Sequence, residues 1–234
     1  MFSIGYLGRP IGAYILGKLG DQEGRRISIA TSIIILTFST CLIGLLPTYQ
    51  QIGIAAPIIL IILRLVQNFA VSVEQVGGAL FLIESFPQNK GYIVSSLIFG
   101  TVYLGHVIGL VLMLLLVNNL SESQIIAWGW RLPFLFALPM GCLTGYLRLN
   151  MPESQEFLRY KSQGLIKKNS YILKKQQVLH AIGAFLSLSS SAYLTMIYIP
   201  NMLNFNQVLP AQQIFLFTIL ISILVFSTAM ICGV

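Results

Sequence analysis

The sequence predicts an all-α membrane protein, a partial helical bundle of about seven transmembrane helices. Three observations predict it. Of the 234 residues, 56% are hydrophobic and 9% charged, where a soluble domain carries about 25% charged residues. The apolar residues gather into runs near the ~20 needed to cross a bilayer as a helix. Apart from Arg9 and Arg64, the lysines and arginines fall between those runs or at their ends, almost all on one side.

The first run, Phe2 to Leu19, is short, rich in glycine and interrupted by Arg9-Pro10. The second extends from Ile27 to Leu46, and Pro47 to Gly53 forms a short uncharged turn. The third, Ile54 to Ser85, is long for one span, so it tilts or projects beyond the bilayer. After the turn at Pro87 to Gly91, the fourth runs from Tyr92 to Val117 and the fifth from Arg131 to Leu149. A polar, basic stretch from Asn150 to Gln177 precedes the sixth, Val178 to Ile199, and the seventh starts at Ala211. The implied organisation is a partial N-terminal bundle over 1–149, a central loop over 150–177 and the start of a second bundle over 178–234.

If all seven runs span, Lys18, Arg25, Arg26, Lys90, Arg148 and the basic residues of the long loop share one side, and only Arg131 lies opposite. The positive side is cytoplasmic. This places the N-terminus outside, the C-terminus inside and the protein in the cell membrane, with a bacterial inner membrane expected. The bilayer is then a partner, and the net charge of +7 reports topology rather than nucleic acid, because no basic patch interleaved with aromatics accompanies it. Cys41, Cys142 and Cys232 all lie in apolar runs without metal-ligand spacing and read as small buried residues. No His-Glu-x-x-His, Gly-x-Ser-x-Gly or phosphate-cradling loop is present, so neither an enzyme nor a cofactor or metal is expected.

Arg9, Arg64 and Glu74 fall inside predicted spans, where each charge costs about 2.5–3.5 kcal/mol and so faces protein or a water-filled path. Arg64 and Glu74 are ten positions apart on one helix, some 15 Å along the axis and roughly 80° out of alignment, so they do not pair directly. A polar transport path is favoured over a structural ion pair. His106, among Gly100, Gly105 and Gly109, joins the path candidates, although a hydrogen-bonded packing role is the commoner one for a lone imidazole. Ser187, Ser189, Ser190 and Ser191, with Tyr193, Thr195 and Tyr198, either line a cavity or bond to helix carbonyls.

Several motifs resemble one family. Gly17-Lys18-Leu19-Gly20-Asp21-Gln22-Glu23-Gly24-Arg25-Arg26 resembles the signature loop of the major facilitator superfamily, G-x-L-G/A-D-R/K-x-G-R-R/K. Gly8-Arg9-Pro10-Ile11-Gly12 precedes it, as in that family's second helix. Arg64-Leu65-Val66-Gln67-Asn68-Phe69 resembles the R-x-x-Q-G-F of its fourth helix, with Glu74 and Glu84 where that helix carries acids. Trp128-Gly129-Trp130-Arg131-Leu132-Pro133-Phe134, Met151-Pro152-Glu153-Ser154 and Tyr198-Ile199-Pro200 extend the resemblance. Together they are similar to the metabolite:proton symporters, the group containing proline/betaine transporters.

The resemblance implies proton-coupled symport of a small polar solute such as proline, betaine or an organic acid. It implies a path through Arg9, Arg64, Glu74 and His106, and a cytoplasmic latch of Asp21, Arg25, Arg26 and Glu84. It also implies that the chain covers helices 2–8 of the family and is inactive alone. A transporter split with an adjacent reading frame, or a membrane sensor or assembly protein, are the alternatives. Asn68, Ser72 and Val73 stand where glycines are usual, and their bulk is expected to hinder close packing.

Overall fold

The computed structural model describes residues 5–85, 91–163, 193–205 and 210–232, with single positions between 176 and 190. Every regular element among them is helical. Four stretches, Arg25–Leu45, Ala55–Ile83, Ser96–Asn119 and Gly129–Asn150, are helical, long and apolar enough to cross a membrane. The chain divides into two compact units, Met1–Ser95 with Ser121–Ile166, and Ser96–Leu120 with Lys167–Val234.

In the first unit, α1 (Gly8–Glu23) is followed by α2 (Arg25–Leu45), the single turn α3 (Tyr49–Ile52) and the 31-residue α4 (Ala55–Ser85). The boundaries of α2 and α4 lie within two residues of those expected, because Gly24, Pro47 and Gly53 punctuate otherwise unbroken apolar runs. α1 differs from expectation. The signature stretch is not a loop: it stays helical through Glu23, since Lys18, Leu19, Gln22 and Glu23 are good helix formers. One residue makes the turn. Gly24 adopts φ 123° and ψ 151°, a conformation essentially reserved for glycine, and α2 begins at Arg25.

α5 (Gly91–Asn119) leaves this unit near its start. The chain returns as α6 (Glu122–Ala127), α7 (Leu132–Asn150) and α8 (Gln155–Ser162). Pro133 opens α7, where a missing N–H breaks no helical bond. Arg131 just before it donates from Nη1 to the Ala127 carbonyl (2.7 Å) and from Nη2 to the Leu46 carbonyl (3.4 Å) while lying over the Trp130 ring. The guanidinium thereby satisfies carbonyls left open at two helix ends.

α2 is the hub of this unit and packs against α1, α4 and α7. Ile29, Ile33 and Phe81 form its apolar core, with Met151 against them. Close approach rests on small residues. A methyl on Gly8 would overlap the Leu65 carbonyl, one on Gly12 the Phe69 carbonyl, and one on Gly141 the Thr37 side chain. The expected obstruction at Asn68 and Ser72 is absent for the same reason. Positions opposite them on the first segment are Gly5 and Gly12, where an added Cβ would come within 2.8 Å of the Asn68 amide and 2.6 Å of the Ser72 hydroxyl. The bulk on α4 occupies room that those glycines leave.

In the second unit, the Ser96–Asn119 part of α5 is joined by a π turn (Leu194–Tyr198), α9 (Ile199–Phe205) and α10 (Ala211–Cys232). The π turn ends two residues before Pro200, whose ring disturbs the normal helical ladder. The basic residues Lys167, Lys168, Lys174 and Lys175 lie outside the described residues, as do Ser187, Ser189 and Ser191 and most of the sixth expected span.

Candidate functional site

A chain of polar side chains runs between the helices of the first unit. Arg9, in the first turn of α1, donates from Nε to Asn68 Oδ1 on α4 (3.1 Å), and its guanidinium lies 4.6 Å from the centre of the Tyr6 ring. Asn68 Nδ2 donates to the Arg64 carbonyl one turn earlier (3.0 Å). Arg64 Nη1 donates to Gln67 Oε1 (3.1 Å), and Gln67 Nε2 to Thr40 Oγ1 on α2 (2.7 Å). Thr40 closes the series on the Leu36 carbonyl of its own helix (2.7 Å). Gln67 is buried. Each member satisfies another, which is how apolar helices accommodate groups that hydrocarbon would leave bare.

The Arg9 side chain is thus linked through Asn68 to the backbone of Arg64. Glu74 is not part of that series: it sits further along α4, under the electrostatic influence of Arg148 of α7. Arg148 Nη2 lies 3.9 Å from where a Cβ on Gly78 would sit, and Gly78 is one helical turn beyond Glu74. A side chain near the end of a helix points back toward that helix's start, which carries Arg148 inward along α4. His106 belongs to the second unit. Its Nδ1 is 3.2 Å from the hydroxyl of Ser222 on α10, which in turn donates to the Thr218 carbonyl (2.8 Å). Gln212 Nε2 donates to Asn118 Oδ1 (2.9 Å), joining α10 and α5 at a second level.

At the Gly24 turn, Asp21 and Arg25 form an exposed ion pair one turn apart (2.8 Å). Arg26 is drawn elsewhere. Its backbone N–H donates to both carboxylate oxygens of Glu153 (3.2 Å each), and its Nη1 to the Met151 carbonyl (3.2 Å). Glu153 also accepts from the Ser154 N–H (3.1 Å). A carboxylate from the α7–α8 connection therefore sits at the amino end of α2, where open N–H groups and the helix dipole favour an anion. Gly24 makes this possible, since a methyl there would overlap that carboxylate. Glu84 falls in the last turn of α4, and its side chain lies outside the described residues.

Reasoning from the sequence missed Thr40, Arg148 and the capping role of Glu153. It read Asn68 as bulk rather than as a bridge. For Glu153 a signal existed, an acid just after the last apolar run of that half. Nothing in the local sequence marks Thr40, whose partner is 27 positions away. A cleft of about 160 Å³ also opens where α1, α2 and α4 diverge, lined by Ala13, Gly17, Gly20, Arg25, Ser28 and Ser72 among others.

The chain matches the model of the family described as sugar (and other) transporter over residues 1–183. It is 35% identical over 217 residues to the glycine betaine/proline/ectoine/pipecolic acid transporter OusA of Dickeya dadantii (strain 3937), a match covering 87% of this chain and 43% of that protein. It is 34% identical over 219 residues to the proline/betaine transporter of Escherichia coli (strain K12), covering 88% of this chain and 44% of the relative. The chain thus spans somewhat under half the length of these curated relatives. Among solved structures, the proton:xylose symporter XylE bound to 6-bromo-6-deoxy-D-glucose superposes with a TM-score of 0.71 at 14% identity, covering 98% of this chain and 57% of that one. That likeness concerns the fold, a partial major facilitator bundle.

Proposed function

The chain belongs to the sugar (and other) transporter family, and on that premise we propose that the protein is a secondary active carrier coupling proton entry to uptake of a small solute of the proline/betaine or organic-acid kind. It is a multi-pass membrane protein, and the proposal places its lysine- and arginine-rich loops in the cytoplasm of a bacterial cell. The observation that carries the reading is the polar series Arg9, Asn68, Arg64, Gln67, Thr40 held between helices that include two long and apolar enough to span. Ionisable groups at such depth mark solute and ion pathways. Carriers of this architecture hold their site between pseudo-symmetric bundles and expose it alternately to each side. On the same reading Glu74 and His106 belong to the path, and the Gly24 turn with Asp21, Arg25, Arg26 and Glu84 forms a cytoplasmic latch that steadies one of the two states.

The test is a chimera in which these residues replace the aligned part of the E. coli proline/betaine transporter. Proteoliposomes bearing it are expected to accumulate glycine betaine or proline when a proton gradient is imposed, and Arg64→Gln is expected to abolish the accumulation. A chimera that inserts normally yet moves neither solute counts against the reading. The 234 residues reconstituted by themselves are expected to show no saturable uptake, because a central site needs walls from both bundles.

A further inference from the structure

The geometry points to Arg9 as the group that binds the carboxylate of the transported solute, with Asn68 as the residue that aims it. The inference rests on the carrier reading above and specifies which chemical group the site recognises. Asn68 holds Arg9 by Nε alone (3.1 Å). Both terminal nitrogens, with four N–H donors between them, make no hydrogen bond among the described residues, and the ring of Tyr6 flanks the guanidinium plane at 4.6 Å. No acidic side chain among the described residues pairs with Arg9.

A half-buried guanidinium between apolar helices needs acceptors for those donors. The group that fits a planar fork of parallel N–H bonds is a carboxylate, bound by two oxygens at once. Asn68 serves this in two ways. Its carbonyl oxygen restrains the fork's rotation, and its amide donates to the Arg64 carbonyl, fixing Asn68 itself to α4. Arg64 lies one turn before Asn68 on α4, so a second cationic residue adds to the positive charge of this part of the unit, which favours an anion. The solutes in the name of the 35%-identical relative are glycine betaine, proline, ectoine and pipecolic acid. Glycine betaine is acyclic and the other three are cyclic, and their nitrogens are substituted differently. All four are zwitterions that share a carboxylate and a cationic nitrogen, and of these a guanidinium can pair only with the carboxylate.

The experiment measures KM and Vmax for glycine betaine uptake in the chimera described above, with Arg9→Gln, Arg9→Lys and Asn68→Gly, and with xylose as a competitor that lacks a carboxylate. Loss of a charged, two-point contact should raise KM at least about ten-fold for Arg9→Gln, with Vmax changed far less. Arg9→Lys keeps the charge without the fork and should fall between wild type and Arg9→Gln. Asn68→Gly removes the charge-assisted bond from Arg9 Nε and the neutral bond to the Arg64 carbonyl but leaves the guanidinium in place, and should raise KM about five-fold. Xylose should not compete. An Arg9→Gln carrier inserted at wild-type level with unchanged KM overturns the inference. If Arg9→Gln does not insert, unchanged KM in both Arg9→Lys and Asn68→Gly overturns it equally. Unaltered carboxylate uptake in these variants sinks this inference alone, whereas a parent chimera that transports no carboxylate solute sinks the carrier reading with it.

Discussion

The two halves of α1 carry similar glycines and use them differently. At Gly8 and Gly12 the helix lies backbone to backbone on α4, with no room for a methyl group. At Gly17 nothing lies within 4 Å of an added Cβ, whereas Gly20 is buried against Ser28 of α2, 3.2 Å from such a Cβ, so here the helix packs on α2 and not on α4. The helix is fused to α4 beside Arg9 and stands off it near the Gly24 turn, which leaves the cleft. A run of glycines in a membrane helix is therefore not one signal. Half of it fixes a contact beside an arginine, and at Gly17 it leaves space beside the cleft.

The largest effect that sharpens this contrast is expected at Gly12. Gly12→Ala drives a methyl into the Phe69 carbonyl, which the α4 backbone cannot move aside, and should cost about 3 kcal/mol. Gly17→Ala meets nothing, improves helix propensity and should stabilise by about 0.5–1 kcal/mol. Unfolding of the detergent-solubilised chain measures both, and equal effects at the two positions would refute the comparison. Next comes the turn itself. Gly24→Ala strains a backbone conformation reserved for glycine and displaces Glu153, for an expected loss of about 2 kcal/mol. A neutral result there would mean that α2 starts in a different way. The smallest pair concerns the charges of the turn. Glu153→Gln removes an anion from the amino end of α2 and should cost about 1 kcal/mol. Asp21→Asn breaks an exposed i,i+4 ion pair and should cost no more than about 0.5 kcal/mol. The reverse order would mean that Asp21, and not Glu153, holds the turn at Gly24.

Much of the helical framework was legible before any coordinates. α2, α4, α7 and the start of α10 fall close to the expected boundaries, because an apolar run bounded by Gly or Pro in a bilayer has few other solutions. The end of α1 was not, since residues chosen for water and residues chosen for helix overlap at Lys18 to Glu23, and only the φ of Gly24 decides where the chain turns. The site was legible unevenly. Arg9 and Arg64 stand out in sequence as charges where charges are expensive. Asn68 looked like an obstruction, because its glycine counterpart, Gly5, lies on another segment. Glu153 looked like part of a connection, because its hydrogen bonds reach 127 positions back to Arg26.

From the amino-acid order alone came the membrane class, the helices and the residues whose charge demands an explanation, since hydropathy and helix termination act over a few neighbouring positions. Which partner answers each charge came only from the folded chain. Arg9 meets Asn68, Gln67 meets Thr40 and Arg26 meets Glu153 because helix faces distant in sequence are pressed together, and hydrogen bonding in an apolar interior depends on those few ångströms.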